Sequence, residues 1–235
     1  MPPFTLFFHP TDALPYFNYA IPDEATGGDL RVPLARLRAE FNARDRQPRL
    51  EFVEAFAPDL AAALNAEGFV EEARLHLMIC TADTYHPAPD IPGLTVSALT
   101  GASPIADAQQ FLTTQRRGFD PGDTTSTTVA QAERFLQRLG DGRAFLARLD
   151  GQPVGAGAFT APHDGLTEIA GIATLEPFRR HGVASRLTSE AVRTAFLHGV
   201  DVVLLTVADE HAGRVYERVG FHPYATALAY SDEVE

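Results

Sequence analysis

From Leu166 to Leu187 the chain reads Leu-Thr-Glu-Ile-Ala-Gly-Ile-Ala-Thr-Leu-Glu-Pro-Phe-Arg-Arg-His-Gly-Val-Ala-Ser-Arg-Leu: an apolar strand, a cationic turn, then a helix. Gly171 interrupts the strand as a bulge would, and Pro177 keeps it from continuing. Val183, Leu187, Ala191 and Ala195 then recur four apart as one helix face, so the predicted helix starts near Gly182. A helix start offers unpaired backbone N–H groups and a partial positive charge, and glycine, lacking a side chain, lets an anion approach them. Arg179 and Arg180 add full charges. An ordinary crossover with solvated arginines could also contain Arg-x-x-Gly. What favours an anion cradle is that Arg179-x-x-Gly182-x-Ala184 follows an apolar strand and opens a helix.

Upstream of this stretch, Asp29 to Arg46 has helical spacing, Leu50 to Phe56 reads as a strand, Pro58 to Glu67 as a short helix closed by Gly68, and Phe69 to Thr81 as a strand. The same helix–strand–helix–Gly-Phe–strand order recurs around Gly220-Phe221, which suggests an internal duplication; coincidental alternation is the alternative. The first copy lacks the Arg-x-x-Gly turn. Ala82 to Gly93 carries Pro87, Pro89 and Pro92 without periodicity and reads as a linker. The expected division is therefore residues 1–81, a linker at 82–93, and a second domain at 94–235.

In that second part, Leu94 to Leu99 is a predicted strand, Ser103 to Arg117 and Thr128 to Leu139 are predicted helices, and Asp150-Gly151 and Asp164-Gly165 are turns of successive hairpins. The helix from Gly182 to His198 crosses over, and Val202 to Val207 returns as a buried, parallel strand. The expected fold class is α/β (α+β): a mixed, mostly antiparallel central sheet flanked by helices, with an N-terminal partial repeat.

A net charge of -12 disfavours nucleic acid and anionic membrane surfaces as partners and suits a cationic or amine substrate. The acidic end, Asp232, Glu233 and Glu235, reads as a solvated tail. Cys80 is the single cysteine, in an apolar run that predicts a buried, inert thiol. The N-terminus lacks the basic start and long apolar stretch of a secretory signal, so a cytoplasmic location is expected. His163, His181, His198, His211 and His222 show no ligand spacing, and no metal is expected.

The cradle stretch resembles the GNAT superfamily of acetyl-CoA-dependent N-acetyltransferases, whose signature Arg/Gln-x-x-Gly-x-Gly/Ala lies at the same strand-to-helix turn. The family usually has Pro-x-aromatic-Arg before the glycine, whereas here Pro177 directly precedes Phe178. The resemblance runs from about Leu94 to the C-terminus. It implies that Arg179, Arg180, His181, Gly182, Val183, Ala184 and Ser185 hold the coenzyme A pyrophosphate. It also implies that two central strands splay apart there, with the pantetheine arm pairing along Ile172 and Thr174.

Asp209-Glu-His-Ala-Gly-Arg-Val-Tyr-Glu-Arg-Val-Gly-Phe resembles the family's second signature, which makes Tyr216 the candidate proton donor to the coenzyme thiolate. Asp209 replaces the usual asparagine; it is a coenzyme-contact candidate by position and a helix N-cap by residue type. Glu168 is the candidate general base, with an exposed strand glutamate as the bland reading. The expected function is acetyl transfer from acetyl-CoA to a small-molecule or peptide amine by direct attack in a ternary complex. A non-catalytic acyl-CoA-binding regulatory module is the alternative, and association into a homodimer is left open. Residues Ser103 to Thr127 are the expected acceptor wall. The absence of Gly-x-x-x-x-Gly-Lys-Ser/Thr and Gly-x-Gly-x-x-Gly disfavours other nucleotide-binding classes.

Overall fold

The computed structural model describes residues 1–10, 12–25 and 28–232, without the side chains of Glu210 and His211. Glu233 and Glu235 of the expected tail lie outside these residues. The chain forms β1 (Phe4–Phe7), β2 (Tyr19–Pro22), α1 (Arg31–Asn42), β3 (Arg49–Val53), α2 (Leu60–Ala66), β4 (Phe69–Thr81), β5 (Leu94–Leu99), α3 (Ile105–Phe119) and α4 (Val129–Leu139). It continues through β6 (Arg143–Leu149), β7 (Gln152–Phe159), β8 (Leu166–Thr174), α5 (Val183–Leu197), β9 (Val202–Val207), α6 (Glu210–Glu217) and β10 (His222–Asp232). Two compact units result, one of residues 1–77, 207–209 and 224–235, the other of residues 78–206 and 210–223.

This division differs from the boundary expected at 82–93. The C-terminal strand is the physical reason: Ala227–Ser231 pair antiparallel with Arg49–Val53, so the end of the chain belongs with the first unit. Asp232 is likewise no solvated tail residue, because its carboxylate accepts from Nε and Nη2 of Arg38, both at 2.8 Å. In this unit the strand order is β1-β2-β3-β10-β4. Leu34, Leu37 and Phe41 of α1 and Leu60 and Leu64 of α2 pack with Leu50, Leu228 and Tyr230 into one core.

The second unit orders its strands β9-β8-β7-β6-β5. β5 to β8 are joined antiparallel, and β9 lies parallel to β8, which makes the sheet mixed. The two hairpin turns expected from sequence are present: Asp150-Gly151 and Asp164-Gly165 all have positive φ, the twist that matches two-residue hairpins. α3 packs on β6, β7 and β8, and on α4, where Ala108 meets Ala132 and Leu136. α5 also packs on the sheet, and the predicted Val183, Leu187, Ala191 and Ala195 are all buried.

The segment at 82–93 has no helix or strand, as its prolines dictate, yet it is pinned rather than free. The Tyr85 hydroxyl pairs with Ser189 Oγ at 2.9 Å, the Ala88 N–H donates to the same oxygen at 3.0 Å, and His86 N–H donates to the Val219 carbonyl. No helix among the described residues is long and apolar enough to cross a membrane.

Candidate functional site

β8 and β9 pair only over Leu166–Glu168 with Val202–Leu204, although both strands continue further. The pairing therefore stops at the middle of the sheet, leaving backbone groups on β8 beyond Glu168 without a β9 partner. On its other side β8 bulges against β7, where Ala156 faces Ala173 and Ala158 faces Ala170. Gly171 takes the extra place with φ 66°, and its carbonyl accepts from Gln115 Nε2 of α3 at 3.0 Å. That bond ties α3 to the irregular part of the strand.

Past Thr174 the chain makes a short 3-10 turn, Glu176–Phe178, with Pro177 in its first positions. This accommodates the departure of Pro177-Phe178 from the usual spacing. Arg180 and Gly182 follow in the left-handed region, φ 65° and 82°, and α5 starts at Val183. Gly182 is the N-cap, so no side chain satisfies the first N–H groups, and no acidic residue lies in the first turn. The first intrahelical bond is Arg186 N–H to the Gly182 carbonyl. The N–H groups of Val183, Ala184 and Ser185 thus face outward at the positive end of a 15-residue helix.

A cavity of ≈ 170 Å³ opens on this turn. Of the residues expected to hold a pyrophosphate, Arg179, Arg180, Gly182, Val183, Ala184 and Ser185 line it, together with Thr174. The Thr174 hydroxyl is buried without a hydrogen-bond partner, an unmet polar group beside the cavity. Two further residues, Val215 and Arg218, enter from α6 and the residues after it. Sequence reasoning missed Arg218, which falls in the unspecified positions between Tyr216 and Gly220.

The two arginines of the motif do different things. Arg179 donates to the Gly118 carbonyl at 2.7 Å and to the Thr174 carbonyl at 3.2 Å, joining the end of α3 to the end of β8. Its charge lies at the negative end of α3 and braces the turn. Arg180 is exposed at the cavity wall. His181 is exposed and does not line the cavity. Ile172 turns its side chain to the α5 face, where a methyl group built on Gly157 would meet both Ile172 and Leu187; only its backbone can serve a ligand.

Tyr216 follows Val215 on α6, and the Val215 carbonyl accepts from Ser185 Oγ at 3.4 Å. This bond sets the tyrosine's helix against the first turn of α5. The Tyr216 ring stands edge-on to Phe221 at 6.1 Å, and burial pushes its phenol above the ordinary tyrosine value. Glu168 is half-buried at the last β8–β9 pair, where the two strands part. Asp209 precedes the first residue of α6 and counts with the other compact unit. Cys80 is fully buried, and burial raises its thiol above the usual range, as an inert thiol requires.

A second cavity, ≈ 570 Å³, lies along α3 and is lined by Gln109, Gln110, Thr113, Arg117, Ser126 and Gln152 among others. It involves the stretch expected to form an acceptor wall. No carboxylate occurs among the described residues lining it. Among the described residues no cluster of His, Cys, Asp and Glu could hold a metal ion.

No curated protein sequence matches the chain significantly. Residues 108–221 match the acetyltransferase (GNAT) family. Among solved structures, a GCN5-related N-acetyltransferase from Kribbella flavida is 30% identical, with a TM-score of 0.81, over 99% of this chain and 88% of that one. A tandem GNAT protein from the clavulanic acid biosynthesis pathway, solved without AcCoA, is 18% identical with a TM-score of 0.70, over 99% of this chain and 84% of that one. A GCN5-related N-acetyltransferase from Sphaerobacter thermophilus is 17% identical with a TM-score of 0.66, over 98% of this chain and 76% of that one. The last two show a shared fold. The first, at its identity and coverage, shows more: the chain belongs to the GNAT family and is an acyltransferase.

Proposed function

We propose that the chain is an N-acetyltransferase that moves an acetyl group from acetyl-CoA to an amine by direct attack in a ternary complex. The observation that carries this reading is the uncapped start of α5 behind a left-handed Gly182, beside the buried, unpartnered Thr174 hydroxyl. A pyrophosphate fits this lining: three N–H groups open α5 at the cavity, and Arg180 and Arg218 bring cations to it. The coenzyme would supply an acetyl thioester, whose carbonyl carbon accepts the amine's lone pair as the carbon–sulfur bond breaks.

Two protons must move, and the chain has a group for each. Tyr216, a neutral phenol that burial keeps protonated to still higher pH, gives its O–H proton to the departing sulfur. Glu168, where β8 and β9 separate, takes a proton from the amine, directly or through water. β8 beyond Glu168 offers Ile172 and Thr174 backbone groups to the pantetheine amides. Arg179 holds the shape of this site. Cys80, buried with a raised thiol, is unsuited to a covalent step.

The acceptor is a small-molecule or peptide amine; the ≈ 570 Å³ cavity along α3 reaches Leu175, at the other end of β8 from Glu168, so its amides, hydroxyls and Arg117 suit hydroxyl or carboxylate groups remote from the amine. Residues 1–81 are a degenerate copy: α1-β3-α2-β4 repeats the order of α5-β9-α6-β10, with Gly68-Phe69 standing where Gly220-Phe221 stands. It carries no Arg-x-x-Gly turn and binds no coenzyme. The reaction is placed in the cytoplasm, with no metal, nucleic acid or membrane partner.

The test is a panel of amines incubated with acetyl-CoA and read by mass, where a gain of one acetyl group on an acceptor supports the reading. Coenzyme binding without acetylation of any acceptor would instead support a non-catalytic acyl-CoA-binding regulatory module.

A further inference from the structure

The proline-bearing segment that precedes β5 is laid along α5 and climbs it toward the cradle. Tyr85 and Ala88 are held by Ser189, Asp90 pairs with Arg186 at 3.3 Å, and Ile91 reaches Gly182. The anchor is well made. Ser189 is 1% exposed, its hydroxyl serves both Tyr85 and Ala88, and the Tyr85 ring meets Phe196 edge-on at 5.9 Å. At the other end a methyl group built on Gly182 would stand 3.2 Å from Cδ1 of Ile91. The segment therefore ends on the residue that opens the anion cradle.

We infer that residues 85–91 are the outer wall of the coenzyme site. Ile91 is its apolar contact beside the phosphates, and Asp90 limits affinity by competing with the phosphates for Arg186. This rests on the coenzyme reading above. Three physical arguments support it. An aliphatic side chain against the cradle excludes water, and N–H to phosphate attraction is stronger where the local dielectric is lower. Arg186 lies one turn after Gly182 on α5, and its guanidinium is shared between Asp90 at 3.3 Å and Glu190 at 3.5 Å, so a change at Asp90 alters the charge next to the turn. The Asp90 side chain is 95% exposed, so the negative charge it places near an anion site stabilises no core.

Ser189 acts as a positioning residue, through the segment it pins. Loosening it displaces Ile91 and Asp90 together; the lost apolar contact lowers affinity more than relief of the solvent-screened Asp90 carboxylate raises it, and the groups that move protons are untouched. The wall also adds to the reasons for glycine at 182, since a Cβ there would press on the Ile91 methyl at 3.2 Å and make it give way by a few tenths of an ångström.

The experiment is calorimetric titration of the full chain with acetyl-CoA at low and high salt, for the parent, Asp90→Lys, Ile91→Asp, Ile91→Leu and Ser189→Ala. Asp90→Lys should tighten binding by about 3- to 10-fold at low salt, with the gain shrinking at high salt. A gain of that kind cannot come from misfolding. Ile91→Asp should weaken binding by about 10-fold or more, and Ile91→Leu should restore it. Ser189→Ala should raise the KM for acetyl-CoA several-fold with kcat changed by less than about two-fold, the signature of lost uniform binding. A parent that binds while Asp90→Lys and Ile91→Asp bind just as tightly overturns the wall and leaves the coenzyme reading standing. A parent that binds no acetyl-CoA removes both.

Discussion

The hydroxyl of Ser185, in the first turn of α5, donates to the carbonyl of Val215 on α6 at 3.4 Å. The bond satisfies a carbonyl near the C-terminal end of α6, a group that helix geometry leaves without an intrahelical partner. It also makes Tyr216 the next residue after a fixed point on the cradle. The anion site and the proposed proton donor are thus coupled through one side chain.

Tyr216→Phe removes the proposed proton donor and keeps the ring against Phe221. Acetyl-CoA affinity should stay near the parent value, while single-turnover acetyl transfer slows by roughly 10- to 10⁴-fold, the range a positioned general acid supplies. Equal chemical-step rates in parent and variant would return Tyr216 to a packing role. Ser185→Ala keeps the backbone N–H but frees α6, and should slow the same step by a smaller factor, about 10-fold or less.

Burial raises the Tyr216 phenol above 10.0, the ordinary value, and this fixes the direction of its pH dependence. The acid form still predominates at pH 10 and is lost as pH rises through the raised folded value. The single-turnover rate should therefore fall to half only above pH 10. The stability that Tyr216 contributes follows the same sign, since ionising a buried phenol favours the unfolded chain in which it is solvated. A rate that halves between pH 8 and 9 in the parent, and not in Tyr216→Phe, would contradict the raised value; pH-jump quenched-flow measurements can read it.

Arg179 and Arg180 should separate cleanly. Arg179→Ala leaves the Gly118 and Thr174 carbonyls without their guanidinium and should cost about 1 kcal/mol or more in urea unfolding, alongside weaker coenzyme binding. Arg180→Ala loses a cavity-lining charge with φ 65°, so stability should hold while affinity falls and its salt dependence flattens. Equal stability losses in both variants would contradict the division of labour.

The strand, turn and helix of the cradle were legible because local chemistry specifies them. A glycine bulge, a proline stop and an i+4 apolar face each act within a few residues, and Val183, Leu187, Ala191 and Ala195 are buried as their spacing requires. β1 and β2 were not legible, since four-residue strands near Pro3, Pro10 and Pro15, one of them ending on Pro22, carry almost no alternation of their own. The segment at 82–93 was legible as irregular but not as pinned. Its anchor, Ser189, lies more than a hundred residues away in sequence and announces nothing by type. That a first-half strand completes the edge after Tyr230 was legible from the little chain left there, but that the strand is β3 was not, because long-range pairing is set by which edge is available and not by the strand's own residues.

The central claim is that one coenzyme site exists per chain and that its floor is Gly182. The measurement that tests it most directly is calorimetric titration of acetyl-CoA into the parent and into Gly182→Val. The variant must hold a branched side chain at φ 82°, against Ile91 and across the N–H groups of α5. The parent should bind one acetyl-CoA per chain, and the variant should bind at least about 100-fold more weakly, a loss of about 2.7 kcal/mol, with its circular dichroism unchanged. Two sites per chain in the parent, or equal affinity in a folded Gly182→Val, would contradict it.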